Sequence, residues 1–177
     1  MNVLLCAIRG TRLTGPAGPL EKMPDRPGRD GLPGRGGLPG RDGGRHGPPS
    51  VPRGTSVVDP LSCGAPVVPA GPDAEYDDGV PGRVRTSGER GFPVPAGPRG
   101  TCVLHPDDVV GTDQHPGPGR LGGCCGHDGR KGGNHVCACG AEVAIVCGDP
   151  RNGYSGDPRS GHGTRLAPDA VRVEAAP

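Results

Sequence analysis

Hydrophobic residues occur along this chain in short runs that proline and glycine interrupt. Residues 141–147, with the sequence AEVAIVC, are rich in β-branched side chains and predict the best strand of the chain. Residues 170–173 predict a second, shorter strand near the C-terminus. Further valine-containing pieces predict strands that stop at the next proline or glycine, namely residues 56–58, 65–68, 101–104 and 109–110.

The apolar run in residues 1–9 is too short for a secretory signal and lacks the basic segment that such a signal carries. No other stretch of the sequence approaches the roughly 20 apolar residues of a membrane-spanning helix. These features predict a cytoplasmic protein with no membrane association. In a reducing compartment, the eight cysteines favour metal binding or thiols over disulfides.

Composition changes this picture, because 36 glycines and 24 prolines make up about a third of the 177 residues. Tryptophan is absent, and two tyrosines and one phenylalanine are the only aromatic side chains. Ordering each residue costs about 1–2 kcal/mol of backbone entropy, which the burial of large apolar side chains has to offset. We therefore expect a mostly irregular, disordered chain with one small Cys-rich, zinc-ribbon-like β module near the C-terminus.

Four segments follow from composition. Residues 1–50 are rich in Gly, Pro and Arg and are expected to be disordered, and residues 51–116 form a linker or short-strand region. Residues 117–149 form the Cys-rich module, and residues 150–177 form an irregular tail. The near-zero net charge of +1 and the few aromatics argue against nucleic-acid binding.

The candidate chemistry lies in the Cys-rich module. Cys137 and Cys139 place both sulfurs on one side of an extended chain, where they can share one metal ion. Side chains of the adjacent pair Cys124 and Cys125 diverge, so one of the two is expected to be a ligand. Cys147, or one of the two nearby histidines, can complete a tetrahedral zinc site. The predicted metal ligands are thus Cys124, Cys125, Cys137, Cys139 and Cys147, with His127 and His135 as alternatives.

Such an ion would supply folding energy that a small core lacks. We therefore predict a non-catalytic zinc-binding or interaction module with an unknown partner. The sequence contains no P-loop, dinucleotide fingerprint, GxSxG elbow or HExxH motif, and we expect no enzyme. The segment from His105 to Asp108 can be read as a metal or acid–base group, but Pro106 favours a polar turn.

Three other interpretations remain open for the cysteines: thiols on a coil, disulfides of a secreted protein, or the product of a mistaken reading of GC-rich coding DNA. A further alternative is a collagen-like structural protein. Glycines recur every third residue from Gly28 to Gly43, and a triple helix requires glycine at each such position. The repeat breaks at Gly44 and His46, so it is a weak collagen signal.

Residues 120–144, RLGGCCGHDGRKGGNHVCACGAEVA, resemble a segment of small uncharacterised Cys-rich proteins of high-GC actinobacteria. In that family a GCCGxDG stretch precedes an Asn, a CxCG or CxxCG pair and an acidic-Val-Ala strand. The resemblance implies that the reading frame is genuine there, and it implies no activity. One departure is that the family strand ends in Asp-Cys-Trp, whereas Pro150 follows Asp149 here and Cys147 lies slightly earlier.

Overall fold

The computed structural model describes residues 1–24, 38–39, 45–46, 49–71, 93–121, 127, 129, 131–148 and 162–177. Within these residues the regular structure is almost entirely β, with two single-turn 3₁₀-helices at Pro106–Asp108 and Pro118–Arg120. No helix in these ranges is both long and apolar enough to span a membrane.

The described ranges contain thirteen strands, most of them short. They are β1 Asn2–Cys6, β2 Gly18–Pro19, β3 Leu38–Pro39, β4 Arg45–His46, β5 Thr55–Asp59, β6 Val67–Pro69, β7 Pro93–Pro95, β8 Thr101–Leu104, β9 Thr112–Gln114, β10 His135–Cys137, β11 Glu142–Cys147, β12 Gly163–Leu166 and β13 Val171–Ala175.

Seven strands form the main sheet in the order β2-β5-β8-β12-β11-β10-β9. All neighbours in it are antiparallel except β2 and β5, which are parallel. The pairs β1–β13, β3–β4 and β6–β7 form separate two-stranded ribbons. The main sheet takes strands from all four segments that composition suggests, so residues far apart in the chain meet in one structure.

The prediction of a mostly disordered chain with a small zinc-ribbon-like module is wrong for the described residues, which form an ordered, β-rich fold. The physical reason is that sheet pairing satisfies backbone hydrogen bonds without requiring large side chains. Valine, leucine and cysteine from short strands then suffice to fill a thin core. The collagen-like glycines from Gly28 to Gly43 lie outside the described residues.

The two faces of the main sheet carry different side chains, because successive residues of a strand point to opposite faces. On one face, Val57 pairs with Val103, Val103 with Arg165, and Arg165 with Ile145. We call this the arginine face. The opposite face is covered by the N-terminal segment, in a buried cluster that includes Leu4, Leu13, Ala17, Leu104, Ala144 and Leu166.

Most of the strands predicted from the hydrophobic pattern are confirmed. Residues 56–58, 67–68, 101–104, 142–147 and 171–173 all lie in strands. Val109 instead forms an isolated bridge with Thr14. The polar turn at Pro106 is also confirmed: His105 caps the 3₁₀-helix, and its Nδ1 accepts a hydrogen bond from the backbone N–H of Asp107 at 3.1 Å.

Gly97 allows the close approach of two loops on the arginine-face side. A Cβ atom built on it would lie 2.2 Å from the carbonyl oxygen of Cys63 and 2.5 Å from that of Ala65. Because both obstacles are backbone, we expect Gly97→Ala to lower the free energy of unfolding by about 2 kcal/mol, as overpacking typically does. Urea unfolding followed by circular dichroism measures this.

Gly119→Ala is the matched control, since a Cβ at Gly119 would meet nothing within 4 Å. We expect this control to change the stability by less than about 0.5 kcal/mol. Equal effects of the two substitutions would contradict the close approach of the loops.

Candidate metal centre

The first ligand group of the candidate site is Cys6, the last residue of β1, at the start of a turn. Its backbone N–H donates to the carbonyl oxygen of Thr11 and its carbonyl accepts from Gly10, both at 2.8 Å. Gly10 has a φ of 69°, a conformation that other residues rarely adopt. The turn thus reverses the chain directly after the cysteine and leaves its side chain buried.

A second turn carries Cys137 and Cys139. The N–H of Cys137 donates to the carbonyl oxygen of Ala141 at 2.9 Å, and Gly140 N–H donates to the carbonyl of Cys137 at 2.7 Å. Gly140 has a φ of 84°, which closes the hairpin between β10 and β11. Cys137 is buried, whereas Cys139 is half-buried and therefore more accessible to solvent.

The two turns bring three sulfurs together. The Sγ atoms of Cys6, Cys137 and Cys139 all lie within 4.8 Å of one another. The Sγ atoms of Cys6 and Cys139 are 3.7 Å apart. A zinc ion with Zn–S bonds of about 2.3 Å at tetrahedral angles would separate two ligand sulfurs by about 3.8 Å. The spacing therefore suits a shared metal ion, and we call these residues the three-cysteine cluster.

Backbone N–H groups surround the sulfurs. Burial raises the pKa of Cys6, but hydrogen bonds from the N–H groups of Arg9 and Ile8, with those of the neighbouring thiols, outweigh it and lower the pKa. At Cys139 the N–H of Ala141 lowers the pKa, yet burial and the neighbouring sulfurs raise it overall. Like charges in one site oppose each other, so a cation that neutralises them would stabilise all three thiolates.

The structure separates the predicted ligands. Cys137 and Cys139 lie together, as their spacing predicts. Cys147 instead lies in a different buried cluster, with Cys63 and Ile145. Cys124 and Cys125 fall outside the described residues, and their role as ligands stays a prediction. The rings of His127 and His135 pack edge to face, with centroids 6.4 Å apart.

Cys6 is the member that sequence reasoning missed. It is separated from Cys137 by about 130 positions and lies far from the dense cysteine stretch at residues 124–147, which alone indicates a metal site by local spacing. One local signal exists: in both turns a cysteine precedes a glycine within four residues, at Cys6–Gly10 and Cys137–Gly140. Such a pattern indicates a turn that follows a thiol, but it does not indicate which turns meet.

Fold and site together define a β-sheet protein with a three-cysteine cluster that can hold a metal ion. Among the described residues, this cluster is the one group of three or more Cys, His, Asp or Glu side chains with that geometry. Comparisons of the chain with protein-family models, curated proteins and solved structures found no match. The resemblance of residues 120–144 to actinobacterial proteins therefore stays a prediction.

Proposed function

We propose that this protein is a non-catalytic zinc-binding protein in which Cys6, Cys137 and Cys139 hold the ion. The observation that carries the proposal is the convergence of three sulfurs from two turns that are distant in sequence. Cysteine-rich ligand sets are typical of structural zinc sites, and soft thiolates select zinc over magnesium or calcium.

The position of the cluster supports a structural role. Cys6 is the last residue of β1, which pairs along its full length with β13. Cys137 and Cys139 lie where the chain turns from β10 to β11, two strands of the main sheet. An ion bound by all three would fasten the N-terminal ribbon to that sheet. Binding would then stabilise the fold by mass action, because the unfolded chain presents no preformed site.

The test is the metal content of the purified full-length chain and its variants, measured by elemental analysis. We expect about one zinc per chain in the wild type and little in Cys6→Ser or Cys139→Ser, because each substitution removes one of three ligands. Titration with cobalt(II) adds a spectroscopic readout, since thiolate-to-cobalt charge transfer reports the sulfur ligands directly.

Cys102→Ser is the matched control, because Cys102 is a partly buried cysteine of β8 that lies outside the cluster. It should bind zinc as the wild type does. Circular dichroism establishes that each variant keeps its β structure. A wild type without metal, or a folded Cys6→Ser variant with full zinc content, would contradict the proposed site.

A separate variant tests the predicted ligands Cys124 and Cys125. A double variant Cys124→Ser/Cys125→Ser that loses zinc would add one of them as a fourth ligand. Full zinc content in this variant would show that the three-cysteine cluster needs neither of them.

A further inference from the structure

A second pair of cysteines lies on the arginine face. Cys63, in the loop after β5, and Cys147, the last residue of β11, share a buried cluster with Ile145. Their exposures are 2% and 4%, so the two thiols are buried together in this cluster. The residues are 84 positions apart, so this contact exists only in the folded protein. The cluster shares no residue with the three-cysteine cluster.

The surroundings of this pair hold a buried positive charge. Arg165 reaches Asp59 across the arginine face, with Nη1 2.6 Å from Oδ2, and also interacts electrostatically with both thiols. Hydrogen bonding with Cys147 and, to a smaller extent, the positive charge of Arg165 lower the pKa of Cys63 to about 7, against the opposing effects of burial and of the Asp59 charge. A thiolate is the reactive form of cysteine, so Cys63 is prepared for nucleophilic attack.

We infer that Cys63 and Cys147 form a redox pair that is converted into an intramolecular disulfide by small-molecule disulfides. The Cys63 thiolate attacks one sulfur of the oxidant, forming a mixed disulfide and releasing one thiolate. Cys147 then attacks the Cys63 sulfur, forming the internal bond and releasing the second thiolate. The two cysteines lose two electrons and two protons, and the oxidant becomes two thiols.

Access to the pair is provided by the loop that carries Cys63. Residues 60–61 and 66–69, on either side of it in the chain, are exposed. One backbone hydrogen bond joins Cys63 to the neighbouring segment: its N–H donates to the carbonyl oxygen of Pro98 at 3.1 Å. The segment that follows pairs outside the main sheet, as strand β6 with β7, and Ser62 Oγ accepts a hydrogen bond from Arg99 Nε at 3.0 Å. A two-stranded ribbon of exposed residues opens at lower free energy than the core of the seven-stranded sheet. Opening of this loop exposes Cys63 while β11 stays paired.

The test uses the full-length protein, reduced, freed of reductant and then incubated with oxidised glutathione. Remaining thiols are alkylated after denaturation, and peptides are mapped by mass spectrometry. We expect a crosslinked peptide pair joining Cys63 to Cys147, a mass loss of about 2 Da, and the loss of alkylation at both residues. Dithiothreitol should restore both thiols. The crosslink should form with and without zinc, since the pair is separate from the three-cysteine cluster.

Two controls test whether the crosslink depends on the fold and on this pair of cysteines. Cys102→Ser should leave the crosslink intact, because burial raises the pKa of Cys102 and it lies outside the pair. Oxidation of the chain in urea should give mixed pairings, because proximity is lost. A predominant crosslink of Cys63 or Cys147 to another cysteine in the folded protein, full alkylation of both after oxidation, or an equal yield of the 63–147 crosslink in urea would overturn the inference.

Discussion

Asp59→Asn should lower the free energy of unfolding by about 3–5 kcal/mol, the usual cost of leaving one member of a buried ion pair without its partner. The side chains of Arg165 and Asp59 are 2% and 5% exposed. Arginine does not release its proton in proteins, so the charge of Arg165 stays in the interior. The substitution keeps Oδ1, which accepts a hydrogen bond from Leu61 N–H at 3.0 Å, and replaces the Oδ2 that accepts from Arg165, so the loss is confined to the contact with Arg165.

The matched control is Glu174→Gln on β13, which removes a carboxylate from an exposed pair with Arg172 at 3.3 Å. An exposed pair contributes at most about 1 kcal/mol, so the control should be nearly neutral. The double variant Asp59→Leu/Arg165→Met should regain most of the lost stability, because it leaves no buried charge. Urea unfolding measures all three. Similar losses for Asp59→Asn and Glu174→Gln would contradict the buried position of the pair.

Asn134→Ala is expected to lower the free energy of unfolding by about 2–6 kcal/mol, because two buried backbone groups lose partners at about 1–3 kcal/mol each. The Asn134 amide nitrogen donates to the carbonyl oxygen of Val146 at 2.8 Å, and its Oδ1 accepts from Val146 N–H at 2.7 Å. The Asn134 side chain thus bonds to β11 as the backbone of one more β10 residue would. It does so next to the point where the β10–β11 register shifts, between His135 and Val136.

Gln114→Ala on β9 is the control for Asn134, because Gln114 carries the same amide chemistry at an exposed strand position next to His135. Its effect should stay within about 0.5 kcal/mol. Amide hydrogen exchange adds a local readout: Val146 N–H should exchange faster in Asn134→Ala than in the control. Unchanged protection of Val146 would show that the amide does not complete the sheet.

The hydrophobic pattern was sufficient to locate β11 and several short strands, because strand propensity and the breaks at proline and glycine act within a few residues. The mostly disordered fold that composition predicted was wrong for the described residues. Averaging glycine and proline over 177 residues hid the fact that the valines and leucines gather into strands that share one sheet. The apolar run in residues 1–9 was not predicted to be a strand, although Asn2–Cys6 forms β1.

By itself, the sequence determined several of the strands, β11 foremost among them, and the closeness of one pair of thiols, Cys137 and Cys139. Only the tertiary structure decided that Cys6 joins that pair and that Cys147 lies beside Cys63. The physical reason is that these contacts depend on strand order, and on register, which sets the face of the sheet that each residue occupies. Both are properties of residues about 80 to 130 positions apart, beyond the reach of any local pattern.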